Sequence, residues 1–259
     1  MVTLQDINEL FDRAAPKELS EVWDNDGVMV CENSAKEVKR VLCALEVREK
    51  TALYAAEHGF DLIVTHHPLI FKPLSRLNGS EYRIFDTLIK GKISVLSYHT
   101  RFDSANGGVN DCLAERLELC DVKPMGIHKE AIGRIGFVPP DDGFTAIEFG
   151  NHIKTCLGCE NIMVSVTDNK KRIKTVGLVA GAGKDYIADA LCAGVDAFIT
   201  SEIPHHMFAS CMQNGLTVFD CGHYYTENPA VEKLCDIIKQ GFPEIFVENF
   251  DVGCPYFCI

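Results

Sequence analysis

The sequence predicts an α/β fold built from two similar halves related by an internal repeat. Two observations carry this: short β-branched runs alternate with helical patterns along the chain, and one strand-helix-strand block recurs at a fixed offset. A third gives the halves a common working end, because the polar clusters fall where parallel strands would finish.

The strand signals in chain order are RVLCAL, DLIVT, ISVLSY, RIGFV, NIMVSV, KTVGLVA, DAFIT, LTVFD and EIFVEN, separated by helix-period segments. Such alternation favours substantially parallel sheets. Residues 41–65, VLCALEVREKTALYAAEHGFDLIVT, align without a gap on residues 176–200, VGLVAGAGKDYIADALCAGVDAFIT. Val41, Ala55, Gly59, Asp61 and Thr65 thereby meet Val176, Ala190, Gly194, Asp196 and Thr200. Each copy reads strand, helix, Gly at the helix C-terminus, strand, Thr. The halves are placed at residues 1–125 and 126–223, with 224–259 supplying a helix and strand that complete the first.

Composition narrows the class. A chain of 259 residues that is 47% hydrophobic and 24% charged can bury a sizeable core. The net charge of −12, with Lys and Arg scattered, leaves no footprint for a nucleic-acid backbone. No apolar run approaches the roughly 20 residues that span a bilayer, and MVTLQDINELFDRAAP reads as an amphipathic helix rather than a signal peptide, so no membrane partner and a cytoplasmic location are expected. Twelve cysteines lie singly in apolar runs, as Cys43, Cys192 and Cys235 do, and read as small core hydrophobes. The one CxxC, Cys156 to Cys159, has no partner pair at zinc-ribbon spacing and reads as a helix end.

The chemistry gathers at four strand ends: THHP after DLIVT, HTRFD after ISVLSY, TSEIPHH after DAFIT and GHYYTE after LTVFDC. Adjacent side chains on a strand face opposite ways, so His66 and His67 can serve one site only where the strand has ended, and Pro68 favours such an exit. Glu227 follows His223 by four residues, as Asp103 follows His99, a spacing that places both groups about 5–6 Å apart on a helix face. Imidazoles with carboxylates suit Zn, Mn or Fe better than Ca or Mg. A single HH or HxxxE is ordinarily a surface or packing feature; four such clusters in a repeated frame point to a metal site, in the cleft between the halves. AGAGKD at 180–185 lacks the P-loop spacing and reads as a tight strand-to-helix turn, while Trp23 in WDNDG, which could stack on a base, reads as closing the N-terminal helix.

These motifs resemble the NIF-three-like dinuclear-metal family, whose members are often labelled GTP cyclohydrolase I type 2. The likeness runs over WDNDGVMV, THHPLIFKPL, HTRFDSANGGVNDCLA, GRIGFVP, VAGAGKDYIADALCAGVDAFITSEIPHH and GHYYTE. The resemblance implies two divalent transition-metal ions per chain with His66, His67, Asp103, His223 and Glu227 as ligands. It also implies a ring-shaped homohexamer whose metal sites face an internal cavity. Glu46, Arg101 and Ser201 stand where the family usually has Asp, Asn and Gly, and Arg101 beside Asp103 is expected to alter which anionic group is accepted.

As an enzyme the protein would be a dinuclear metal-dependent hydrolase of a small molecule, a purine nucleotide, another phosphoester or an amide. Under the GTP label, water attacks C8 of guanine, the ring opens and formate leaves. His99, Glu202, His205 and His206 are the candidate proton carriers. The alternative is a hexameric metal-binding regulatory or adaptor protein without turnover; open metal coordination would favour catalysis.

Overall fold

The computed structural model describes residues 1–126, 132–139, 141–166, 168 and 170–257. The chain divides into two compact units, Met1–Asn106 with Ala230–Gly253, and Gly107–Pro229 with Cys254–Ile259. The first begins with α1 (Leu4–Ala14), β1 (Gly27–Val30), β2 (Arg40–Ala44), α2 (Glu49–Glu57), β3 (Leu62–Thr65), α3 (Gly79–Gly91), β4 (Ser94–Ser97) and α4 (Thr100–Ser104). The second opens with α5 (Val109–Arg116), β5 (Cys120–Met125), β6 (Gly133–Phe137), α6 (Ala146–Leu157) and β7 (Met163–Ser165). It continues with β8 (Thr175–Leu178), α7 (Ile187–Ala193), β9 (Ala197–Thr200), α8 (His205–Gln213), β10 (Thr217–Asp220) and α9 (His223–Glu227). The chain then returns to the first unit as α10 (Ala230–Gly241) and β11 (Phe246–Asn249).

The first sheet runs β1-β4-β3-β2-β11, with β11, β2, β3 and β4 parallel and β1 an antiparallel edge. Its parallel strands are buried throughout at β3 and β4, as sheets covered on both faces require. Leu42, Ile63 and Val95 from this sheet pack with Ala52, Ala55 and Leu88 from α2 and α3. The second sheet runs β5-β6-β8-β9-β10-β7, parallel through β8, β9 and β10 and antiparallel elsewhere. Phe198 and Val218 meet Ile187, Ala190 and Cys211 on its helical side.

The boundary falls at Asn106/Gly107 rather than near residue 125. Segment 107–125 is tied to the second unit: β5 pairs with β6, Asp111 grips Arg134 at 2.6 Å, and Asn110 accepts from Ala180 N at 2.7 Å while donating to Ile132 O at 2.9 Å. Residues 224–229 likewise stay with the second unit, whereas β11 joins the edge of the first sheet.

The repeat holds down to single hydrogen bonds. Asp61 Oδ2 accepts from the backbone of Lys39 and Arg40 at 2.9 and 3.1 Å; Asp196 Oδ2 accepts from Lys174 and Thr175 at 3.0 Å each. Phe60 N donates to Ala55 O and Val195 N to Ala190 O, and Gly59 and Gly194 both hold φ of 67°. In each copy a carboxylate thus clamps the start of the neighbouring strand. Charged hydrogen bonds of this kind contribute about 1.5–3 kcal/mol, so Asp61→Ala and Asp196→Ala should each lower unfolding free energy by about 1–3 kcal/mol in denaturant titrations. Burial alone would push the Asp196 carboxyl up, but the Thr175 and Lys174 amides outweigh it and hold the group below the usual carboxylate range. Its stabilisation is therefore complete above pH about 4, is lost as pH falls through the depressed folded value, and should be missing from the Asp196→Ala acid profile.

Candidate metal centre

In the first unit β3 ends at Thr65, and the Thr65 hydroxyl donates to His67 O at 2.8 Å and meets Ser97 Oγ at 2.8 Å, fixing the turn that carries the two imidazoles. The buried His66 places Nδ1 3.0 Å from Tyr98 O and turns Nε2 to Asp103 Oδ1 at 3.6 Å. His67 Nδ1 lies 3.4 Å from Glu46 Oε2. The His67 imidazole, with Arg48 behind it, holds the Glu46 carboxyl below its ordinary range against burial. His99 Nδ1 lies 2.8 Å from Asp24 Oδ1. Burial would raise the Asp24 carboxyl, but hydrogen bonds from His99 and Thr100 overcome it and keep the group ionised far below the usual range.

Every imidazole is thus held at Nδ1 by an oxygen, which makes Nε2 the donor atom, the arrangement by which proteins orient metal-ligating histidines. His66, His67 and His99 bring ligand nitrogens within 4.8 Å of one another and could hold a metal ion. Asp103, buried beside them on α4, adds a carboxylate.

The second unit repeats the device with different parts. His223 opens α9, its Nδ1 lies 2.8 Å from Glu202 Oε1, and its Nε2 meets Glu227 Oε2 at 2.9 Å across one helical turn. Glu227 is buried against the AGAGKD turn, where a Cβ on Gly181 would lie 2.0 Å from Glu227 Oε1 and 3.2 Å from His223 Nε2. That turn is pinned on several sides. Gly181 N donates to Thr226 Oγ1, Gly183 N to Thr200 Oγ1, and the Ser201 hydroxyl to Gly181 O at 2.6 Å. Its Ala180, Gly181 and Gly183 amides are engaged by Asn110, Thr226 and Thr200, so it acts as a tight turn shaping room for a carboxylate.

The two His-x-x-x-acid pairs are not equivalent positions. Tyr98 N donates to Thr65 O and Cys221 N to Thr200 O, which sets His99 against Gly222 and Thr100 against His223. His99 is accordingly the residue before α4, whereas His223 is the first residue of α9. His99 and Asp103 therefore look to different partners, Asp24 and His66, while His223 and Glu227 face each other.

Glu202 serves as the partner of His223. His205 and His206 are exposed at the start of α8. Arg101 is not available to an anionic ligand: it is buried over the Tyr98 ring at 4.6 Å and bonded to Asp12 at 2.7 Å. Trp23 does not close α1 either, since it stands 60% exposed in a turn beside His99. Asp24 lies in WDNDG and Gly181 in AGAGKD, motifs that read as turns rather than as sources of site residues, and Glu46 stands out only as a position where the resembled family differs.

Elsewhere in the second unit, Glu118, His152 and Cys156 also approach one another, with His152 Nε2 at 3.5 Å from Cys156 Sγ and 3.1 Å from Leu117 O. Cys156 lies in the last turn of α6, which ends at Leu157 before a left-handed Gly158, as a helix-end reading of CLGC requires, and every described cysteine is a thiol without a disulfide. Among the described residues no helix is long and apolar enough to cross a membrane.

A family model described as Duf34/NIF3 (NGG1p interacting factor 3) matches residues 2–253. A Clostridium perfringens protein named GTP cyclohydrolase 1 type 2 homolog is 34% identical over 244 residues, spanning 92% of this chain and 91% of its own. A Helicobacter pylori protein named GTP cyclohydrolase 1 type 2 is 30% identical over 258 residues, spanning 96% and 97%. Among solved structures, a Staphylococcus aureus hypothetical protein matches 99% of each chain with a TM-score of 0.90 at 26% identity. Reduced HcgD from Methanocaldococcus jannaschii matches over 96% of this chain and 97% of its own, with a TM-score of 0.83 at 26% identity.

Proposed function

The chain belongs to the Duf34/NIF3 family, and from that premise and the donor geometry we propose that it is a dinuclear metal-dependent hydrolase. In this reading His66, His67 and Asp103 of the first unit and His223 and Glu227 of the second would be the ligands of divalent transition-metal ions, Zn, Fe or Mn, two per chain. The observation that carries it is the common orientation of the imidazoles: each is fixed at Nδ1 by a carboxylate or carbonyl, and Nε2 of His66 and of His223 faces a carboxylate, Asp103 and Glu227. Nitrogen and oxygen donors of this mixture fit transition metals and not the all-oxygen preference of Ca or Mg.

When bound, such a pair supplies Lewis acidity and a water acidified to near neutral pH. The chain's own residues do the rest. Glu46 and Glu202 orient His67 and His223, Tyr98 O orients His66, and Thr65 and Thr200 fix the turns on which these donors stand. His99, oriented by the ionised Asp24, is the residue we assign to carrying the proton to the leaving group. The names of the relatives make GTP the first substrate to try, with ring opening and formate release as the reaction; phosphoesters are the second class.

The test is turnover of a panel of nucleotides and phosphoesters by metal-replete protein, with Glu227→Ala as the control. Hydrolysis of at least one member, lost in the variant, is expected. No turnover of any member by protein carrying its metals would leave the metal-binding adaptor as the better account.

A further inference from the structure

The turn after α1 places an aromatic corner against the first-unit donors. Trp23 and Phe71 lie with ring centroids 6.0 Å apart at 66°, and each lies close to His99, at 6.3 Å and 76° for Trp23 and at 6.0 Å and 87° for Phe71. Trp23 is 60% exposed and Phe71 44%, so neither ring is where core packing would put it. Their backbone is nevertheless pinned. Glu21 N donates to Thr100 Oγ1 at 2.9 Å, Asp24 accepts from the Thr100 amide and hydroxyl at 3.0 and 2.6 Å, and the Asn25 side chain donates to Ile70 O, joining the Trp23 turn to the residue before Phe71. A single exposed aromatic needs no explanation; two on anchored loops, edge to face with a histidine of the donor group, form a preorganised and solvent-exposed aromatic surface.

We infer that Trp23 and Phe71 form a stacking wall beside His99 that selects ligands carrying a planar heteroaromatic ring. The inference rests on the metal-centre reading for what the ring is held against, and deepens it by naming the part of the ligand the chain recognises. The exposed indole offers a π-face to a flat ring, Phe71 closes one side, and the pinned turns hold the two in place before the ligand arrives, so little ordering is required on binding. Sugar or acyclic phosphoesters present no such face and gain nothing from the wall.

Trp23 is the sole tryptophan of the chain, so its emission reports directly on the wall. Guanosine 5′-monophosphate should quench it saturably, with the inner-filter effect removed against free tryptophan amide, while ribose 5-phosphate should not. Phe71→Ala should raise the apparent dissociation constant for the nucleotide about fivefold or more, and Trp23→Ala should do the same by calorimetry where Trp23→Phe does not. Metal content should be unchanged in all three variants, which keeps the two readings separable. A wild type that binds no metal but still shows ring-selective quenching overturns the metal reading alone. Equal effects of the two probes on metal-loaded protein overturn the wall, as does an indole that iodide cannot reach in the ligand-free assembly because another copy covers it.

Discussion

Gly181→Ala should cost the protein most of its activity and at least one metal ion. The new methyl group would sit 2.0 Å from Glu227 Oε1, well inside van der Waals contact. Glu227 is buried and cannot swing into solvent, and the turn cannot withdraw because Thr226, Thr200 and Ser201 hold it through Gly181 and Gly183. The carboxylate must therefore leave its place beside His223. The backbone at Gly181 also has φ of 63°, where any residue with a Cβ is strained by about 1–2 kcal/mol. Gly194→Ala isolates that strain, because Gly194 has φ of 67° and open space around its Cβ position. Gly194→Ala should lose about 1 kcal/mol of stability and keep its metals, whereas Gly181→Ala should lose an ion and fall in rate by about 100-fold or more. Matching metal contents in the two variants would show that crowding of Glu227 is harmless.

The second large effect separates ligands from the groups that serve them. Asp103→Asn and Glu227→Gln keep size but remove a negative charge from beside His66 and His223, and each should release at least one ion. His99→Gln should retain the metals and lower hydrolysis by about 10–100-fold, the usual consequence of removing a supporting or proton-carrying group. Metal content and rate measured side by side on these variants decide the assignment. His99 has a ligand nitrogen within 4.8 Å of those of His66 and His67, so an emptied site in His99→Gln with two ions kept in Asp103→Asn would make His99 the ligand and Asp103 its support.

Much of this architecture was legible because it is written in local patterns. Gly59 and Gly194 end equivalent helices, Asp61 and Asp196 clamp equivalent strands, and Thr65 and Thr200 fix the site turns, so the offset of the repeat was enough to locate them. What stayed hidden depends on contacts distant in sequence. Segment 107–125 carries its own strand, but with Pro124 in an edge position it lacks the apolar run that announces a central strand, and Asn110 and Asp111 reveal its allegiance only through Ala180 and Arg134. The one-residue offset between His99 and His223 is invisible to spacing, since both precede an acid by four. Arg101 reads as a surface charge next to a ligand until Asp12, 89 residues earlier, is seen to hold it in the core.

The most direct measurement of the central claim is metal content per chain. Elemental analysis of the wild type and of a variant with His66, His67 and Glu227 all replaced by alanine, both confirmed folded by circular dichroism, compares the donor groups of the two units at once. About two transition-metal ions per wild-type chain and close to none in the variant are expected. Equal metal in the two proteins would contradict it.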